Sequence, residues 1–240
     1  MKINDYIKNN DSDGRGGKPD TKRVVFTVCA LIILLIIAVV VISSIIGDGD
    51  DWDGGNQGSP DTENIVRLDN DGNIITLPSY VISRPLPINE YSRCGEKTDR
   101  IMGIVVHYVG NPGTSAEANR NYFAGLAKSG ATYASSNFII GLDGEVIECV
   151  PLGEVAYCSN NRNSDTISIE CCHPEADGKF TDATYASLVK LCGWLMEIYS
   201  IPRDNVIRHF DVTGKECPLY FVDHEDEWES FRDELVNQAS

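Results

Sequence analysis

Three residues far apart in the chain carry the chemistry that is easiest to read: His107, His209 and Cys217. Imidazole nitrogen and thiolate sulfur are zinc ligands, and two of one with one of the other leave the fourth tetrahedral position open to water. No CxxC or HxxxH pair is present to close a purely structural site. An open zinc site can activate water and polarise a carbonyl. Each residue alone has a plainer reading. His107 ends the most apolar strand-like run in the chain and could be a buried, hydrogen-bonded histidine. His209 and Cys217, in "RHFDVTGKECP", match no helical ligand spacing. Cys217 also offers a second chemistry, a thiolate nucleophile with a histidine base, with Pro218 opening a helix that would lower the thiol's pKa. Glu170 and Lys215 read from the residues alone as a solvated strand-end carboxylate and an exposed turn lysine.

The elements that must position these groups follow from patterning. Ile101–Val109 is a continuous apolar run, as a central strand buried on both faces gives. Thr114 or Ser115 caps a helix to about Lys128, with Tyr122, Phe123 and Leu126 on one face and Gly130 as its stop. Asn137–Ile140 and Glu145–Glu148 flank Leu142-Asp143-Gly144, a hairpin signal. Thr166–Cys171 alternates as a strand. Thr181 caps a helix to Ser200 whose buried stripe runs through Tyr185, Leu188, Val189, Cys192, Leu195, Met196 and Tyr199. Asn205–Arg208 is a short strand, and a last helix runs from about Glu225 to Asn237. Strands interleaved with helices predict an α/β or mixed α+β domain with a central sheet flanked by helices.

The rest of the chain divides by composition. Val24 to Ile46 is apolar without charge or proline, and as a helix it would span about 34 Å at ~1.5 Å per residue, enough for a bilayer. Lys18, Lys22 and Arg23 precede it and Asp48, Asp50, Asp51 and Asp53 follow, which predicts a single-pass signal anchor with its N-terminus in the cytoplasm. The organisation is thus a cytoplasmic tail 1–23, a membrane anchor 24–46, an acidic tether and lead-in 47–89, and a domain 90–240 outside the cell. Net charge is -16, concentrated beyond the membrane run, and excludes attraction to nucleic acid or anionic lipid. Of the eight cysteines, Cys29 lies in the apolar run and Cys192 on a helix stripe. An exported domain permits disulfides among Cys94, Cys149, Cys158, Cys171, Cys172 and Cys192, with Cys158–Cys172 one candidate pair.

The segments "GIVVHYVGNPGTSAEANRNYF", "SSNFIIGLDGEVIECVPLGEVAY", "NSDTISIECCHPEADGKFTDATYASL" and "VIRHFDVTGKECP" resemble, in this order, the zinc-dependent N-acetylmuramoyl-L-alanine amidases. The branch is that of phage endolysins and bacterial autolysins, kin to peptidoglycan recognition proteins, and the likeness covers about residues 90–235. It implies one Zn(II) held by His107, His209 and Cys217, with Glu170 as general base and Lys215 steadying the oxyanion. It also implies a bacterial cell-wall hydrolase acting on peptidoglycan. The alternative within the resemblance is a non-catalytic wall-binding sensor, although such relatives typically lose the cysteine ligand. Two departures stand out. Ser136 occupies a position where some relatives place tyrosine, and Tyr157-Cys158-Ser159-Asn160 replaces an aromatic-His-x-Gly pattern, bringing a thiol near the site. His173 and His224 match no ligand motif and read as solvated.

Overall fold

In the computed structural model, which describes residues 65–238, the β-branched runs become six short strands. They are β1 (Val81–Ser83), β2 (Gly103–Tyr108), β3 (Phe138–Ile140), β4 (Val146–Glu148), β5 (Thr166–Cys171) and β6 (Val206–Arg208). They form one sheet in the order β1-β4-β3-β5-β2-β6. Only β3 and β4 pair antiparallel; β1–β4, β3–β5, β5–β2 and β2–β6 are parallel. The helices are α1 (Ala116–Ser129), α2 (Asp182–Tyr199), α3 (His209–Thr213), α4 (Leu219–Asp223) and α5 (Glu225–Gln238). A mixed sheet with flanking helices is the predicted class, and these residues fall within one compact unit, Glu63–Ser240.

Both sheet faces are covered, which is why the strand sequences read as near-continuous apolar runs. Alternation nevertheless sorts the side chains. Ile104, Val106, Phe138, Ile140, Ile167 and Ile169 pack with Leu188 and Leu195 of α2 and with Trp228 and Phe231 of α5. Ile139 and Ile147 pack the other way, with Phe123 and Leu126 of α1. Each such fully buried side chain contributes about 1.5–3 kcal/mol relative to exposure. On β5, Ile167 and Ile169 face α2, so Glu170 must face the α1 side. In the β2–β5 register it lies opposite His107, and parallel partners project to the same face.

The caps are those the sequence signals. Ser115 Oγ accepts from the Ala118 N–H at 3.2 Å, and Gly130 ends α1 at φ 60°. Thr181 Oγ1 accepts from the Thr184 N–H at 3.0 Å. Gly103 starts β2 where any Cβ would come within 2.7 Å of the Asn205 carbonyl, so its lack of a side chain lets β6 approach.

Three expectations are corrected. Tyr122 is exposed; α1 buries Ala116, Phe123 and Leu126 instead. His173 is not solvated: it is 1% exposed, its Nδ1 2.6 Å from the Glu175 carbonyl and its ring against Tyr108. The seven cysteines among the described residues are free thiols, so Cys158 and Cys172 are not bridged. Asn119 Nδ2 donates to Cys172 Sγ at 3.6 Å, while Cys158 turns to Glu170.

The lead-in supplies the edge strand β1 and is clamped to the sheet. Arg67 Nε donates to Glu148 Oε1 at 2.6 Å, and Ser83 Oγ donates to Glu148 Oε2 at 2.7 Å. Among the described residues no helix is long and apolar enough to cross a membrane. The run Val24–Ile46, the tail 1–23 and the tether as far as residue 64 lie outside the described residues.

Candidate metal centre

Three neighbouring parallel strands, β5, β2 and β6, deliver Glu170, His107 and His209 side by side at their carboxyl ends. That is the edge where open α/β sheets bind ligands. His209 follows β6 as the first residue of α3, and its entry is fixed by its neighbour. The Arg208 N–H donates to Asp211 Oδ2 at 2.8 Å, and the buried Arg208 guanidinium reaches the Phe221 carbonyl at 2.9 Å and Glu225 at 2.5 Å. One arginine thus ties α3 to α4 and α5. The turn after α3 folds back, with the Phe210 N–H donating to the Cys217 carbonyl at 2.9 Å. It ends in a cis Cys217–Pro218 bond.

The sequence-predicted ligands converge. The ligand atoms of His107, His209 and Cys217 all lie within 4.8 Å of one another, and all three residues are buried. Cys217 Sγ is 3.8 Å from His107 Nδ1, and the two imidazole centroids are 4.7 Å apart. Both outer nitrogens are occupied: His107 Nε2 by Ser159 Oγ at 3.1 Å, His209 Nε2 by Asn160 Oδ1 at 2.8 Å. His209 Nδ1 is buried with no partner. A buried, unsatisfied nitrogen beside a second nitrogen and a sulfur fits a cation, since buried polar atoms otherwise find partners.

Electrostatics agree with ligands that hold no positive charge of their own. Burial depresses both imidazoles, His107 well below the usual histidine range, and the Lys215 charge adds to each shift. Burial pushes the Cys217 thiol up to about 12, with the Glu170 carboxylate adding and the Tyr108 backbone N–H opposing. A thiol held protonated at neutral pH is the opposite of an activated nucleophile. Pro218 does precede a helix, α4, but that turn does not lower the thiol's pKa.

Glu170 is half-buried, with Oε2 shielded and unpartnered. Burial raises its carboxyl to about 7, partly offset by the Cys158 thiol and the Lys215 charge. This is not the solvated carboxylate that its strand-end position suggests. Lys215 is exposed in the turn, its N–H donating to Thr213 Oγ1 at 3.2 Å. Sequence reasoning gave no role to Ser159 and Asn160. The signal was there, in the altered Tyr157–Asn160 motif, where Asn160 takes the left-handed conformation, φ 54°, at the place of the motif's glycine. A second cluster, His107, Cys158 and Glu170, shares His107 with the first. A cavity of about 650 Å³ lined by Asn70, Arg100, Ile101 and Tyr199 opens beside the amino end of β2, away from these groups.

A mixed α/β domain with a two-histidine, one-cysteine centre at its strand ends is the class this geometry defines. The chain belongs to the N-acetylmuramoyl-L-alanine amidase family, whose model matches residues 97–219. It is 32% identical over 164 residues to a probable N-acetylmuramoyl-L-alanine amidase of Bacillus licheniformis, covering 63% of this chain and 46% of that protein. It is 30% identical over 179 residues to the amidase BlyA of Bacillus subtilis (strain 168), covering 65% and 46%. The chain therefore spans about half the length of the curated relatives it matches. Among solved structures it resembles a mutant endolysin from Bacillus subtilis, TM-score 0.55 at 29% identity, covering 65% of this chain and 97% of that one. The catalytic domain of XlyA is equally similar, TM-score 0.55 at 29% identity, with 65% and 98% covered.

Proposed function

We propose that this protein is a zinc-dependent N-acetylmuramoyl-L-alanine amidase that cleaves the bond between the lactyl group of N-acetylmuramic acid and the L-alanine of the stem peptide. The observation that carries the reading is the convergence of His107, His209 and Cys217 beside a half-buried Glu170. Two neutral imidazoles and a thiolate suit Zn(II). Zinc bound there supplies Lewis acidity to the carbonyl and lowers the pKa of a water to about 7.

The remaining work falls to side chains. Glu170, its carboxyl near 7, is poised to accept a proton from the attacking water and return it to the departing amine. The oxygen–carbon bond forms at the lactyl carbonyl, the carbon–nitrogen bond breaks, and the proton leaves on the L-alanine nitrogen. Lys215, whose charge is felt by both histidines and by Glu170, stands ready to stabilise the tetrahedral oxyanion. In this reading the run Val24–Ile46 anchors the enzyme on the outer side of a bacterial membrane, facing its substrate. The presence of both Cys217 and Glu170 weighs against a sensor that only binds wall fragments. Burial, which raises the Cys217 thiol in the metal-free chain, weighs against a cysteine hydrolase.

The test is zinc content of the purified chain, wild type beside Cys217→Ala, with stem-peptide release from peptidoglycan followed before and after chelation. One zinc per chain, lost in the variant, and release abolished by chelator are expected. Undiminished release from metal-free protein would remove the proposal.

A further inference from the structure

Three consecutive residues each reach a different functional side chain. Cys158 Sγ lies 3.5 Å from Glu170 Oε1, Ser159 Oγ 3.1 Å from His107 Nε2, and Asn160 Oδ1 2.8 Å from His209 Nε2. We propose that Cys158-Ser159-Asn160 is a positioning strap that sets the orientation of both histidine ligands and of Glu170 from one short piece of backbone. The proposal rests on the zinc reading above and adds to it residues that neither touch the ion nor react.

The chemistry is that of an imidazole's two ends. An amide oxygen can only accept, so His209 must donate from Nε2, which leaves the lone pair on Nδ1. That is the nitrogen found buried without a partner. Ser159 accepting from His107 Nε2 does the same for the second ring, whose Nδ1 is the atom beside Cys217 Sγ. Both rings then offer the same atom to the same point, and a donated Nε2–H makes each a stronger ligand. The third contact differs in kind. The Cys158 thiol donates to one carboxylate oxygen and leaves the other, Glu170 Oε2, without a partner.

The strap is itself held. Asn163 Oδ1 accepts from the backbone N–H groups of Cys158 at 3.1 Å and Ser159 at 2.6 Å. Asn160 opens a single 3-10 turn to Arg162, and the Arg162 guanidinium pairs with Asp165 at 2.8 Å. The left-handed backbone at Asn160 directs the chain back towards His209, a conformation glycine and asparagine tolerate at small cost.

The experiment measures zinc affinity of the full chain by competition with a chromophoric chelator, together with the visible absorption of the cobalt-substituted protein. Asn160→Gly keeps the backbone conformation and deletes the acceptor, and Ser159→Ala deletes the other. Each is expected to lose about 10–100-fold in zinc affinity and to shift the cobalt bands. Asn160→Asp restores an acceptor oxygen and should recover most of the affinity, which a misfolded strap would not. Cys158→Ala should bind zinc like wild type yet show a lower kcat at unchanged KM. Wild-type affinity and an unaltered cobalt spectrum in both Asn160→Gly and Ser159→Ala would overturn the strap and leave the amidase reading intact. Failure of the wild-type chain to bind zinc, or equal binding by Cys217→Ala, would overturn the reading beneath it.

Discussion

Replacing Glu170 by glutamine is predicted to make the metal-free protein more stable while it abolishes hydrolysis. The carboxyl titrates at about 7 rather than its ordinary 4.5 because burial penalises the charged form. Between those values the folded chain holds a proton that the unfolded chain has already released. The unfolding free energy therefore falls as pH rises from 4.5 to 7, and the loss is complete above 7. At 1.36 kcal/mol per pH unit the gap gives about 3 kcal/mol. The residue is half-buried, so water screens part of this, and about 1–3 kcal/mol is the working range. Glutamine cannot ionise, so the variant should match wild type near pH 4.5 and exceed it by that amount at pH 8. His107 and His209 act in the opposite sense: their depressed pKa values add stability above about 6.5 that is lost as pH falls. They are common to both proteins and cancel in the difference. Urea unfolding of chelator-treated protein at pH 5, 6, 7 and 8 reads the effect, with m near 1–3 kcal/mol/M converting it to a midpoint shift of about 1 M. A difference that is absent at pH 8, or present equally at pH 5, would refute the account of Glu170 as a half-buried carboxylate whose charged form is penalised by burial.

Lys215→Ala should lower kcat by about 10²–10³-fold with little change in KM, because an oxyanion partner acts on the transition state alone; steady-state kinetics on a soluble muropeptide check it. Burial raises the Cys217 thiol and lowers both imidazoles, so zinc binding at pH 7.5 should release about one to two protons, one from the thiol and the rest from zinc-bound water and Glu170. Calorimetry in buffers of different ionisation enthalpy counts them, and no release would mean that Cys217 is not a ligand. Arg67→Met should destabilise the fold by about 3–5 kcal/mol, since it leaves the Glu148 carboxylate, 0% exposed, without its cation. Urea midpoints measure this, and an unchanged midpoint would show the Arg67–Glu148 pair to be dispensable.

The parts legible in the sequence were those whose signal is local. Period and capping residues placed β2, β5, α1 and α2 almost to the residue, because Ser115, Thr181 and Gly130 carry their own hydrogen-bonding instructions. Strand β1 was not legible: three residues between prolines at 78 and 85 have no period to read, and they become a strand only because β4 offers an edge. Helix α3 was hidden for a related reason, being a single turn held by Arg208, whereas α4 was signalled only by Pro218, which opens it. The three metal-ligand candidates were visible by residue type and motif, whereas the burial of Glu170 was not. It depends on strand parity across β2 and β5, which patterning implies only once the pairing is known. Ser159 and Asn160 were marked only as a departure from the aromatic-His-x-Gly pattern, since no spacing rule links them to His107 and His209.

The side-by-side delivery of Glu170, His107 and His209 by β5, β2 and β6 has a consequence for how the chain tolerates being cut. The candidate site groups sit in or directly after strands of one ladder, and the exposed stretch from Pro174 to Asp177 that separates β5 from α2 carries none of them. Exposed loop tips are where nicking is best accepted. A protease clipping between Glu175 and Asp177 should thus yield two fragments that stay clasped, with the candidate site groups in register across the break.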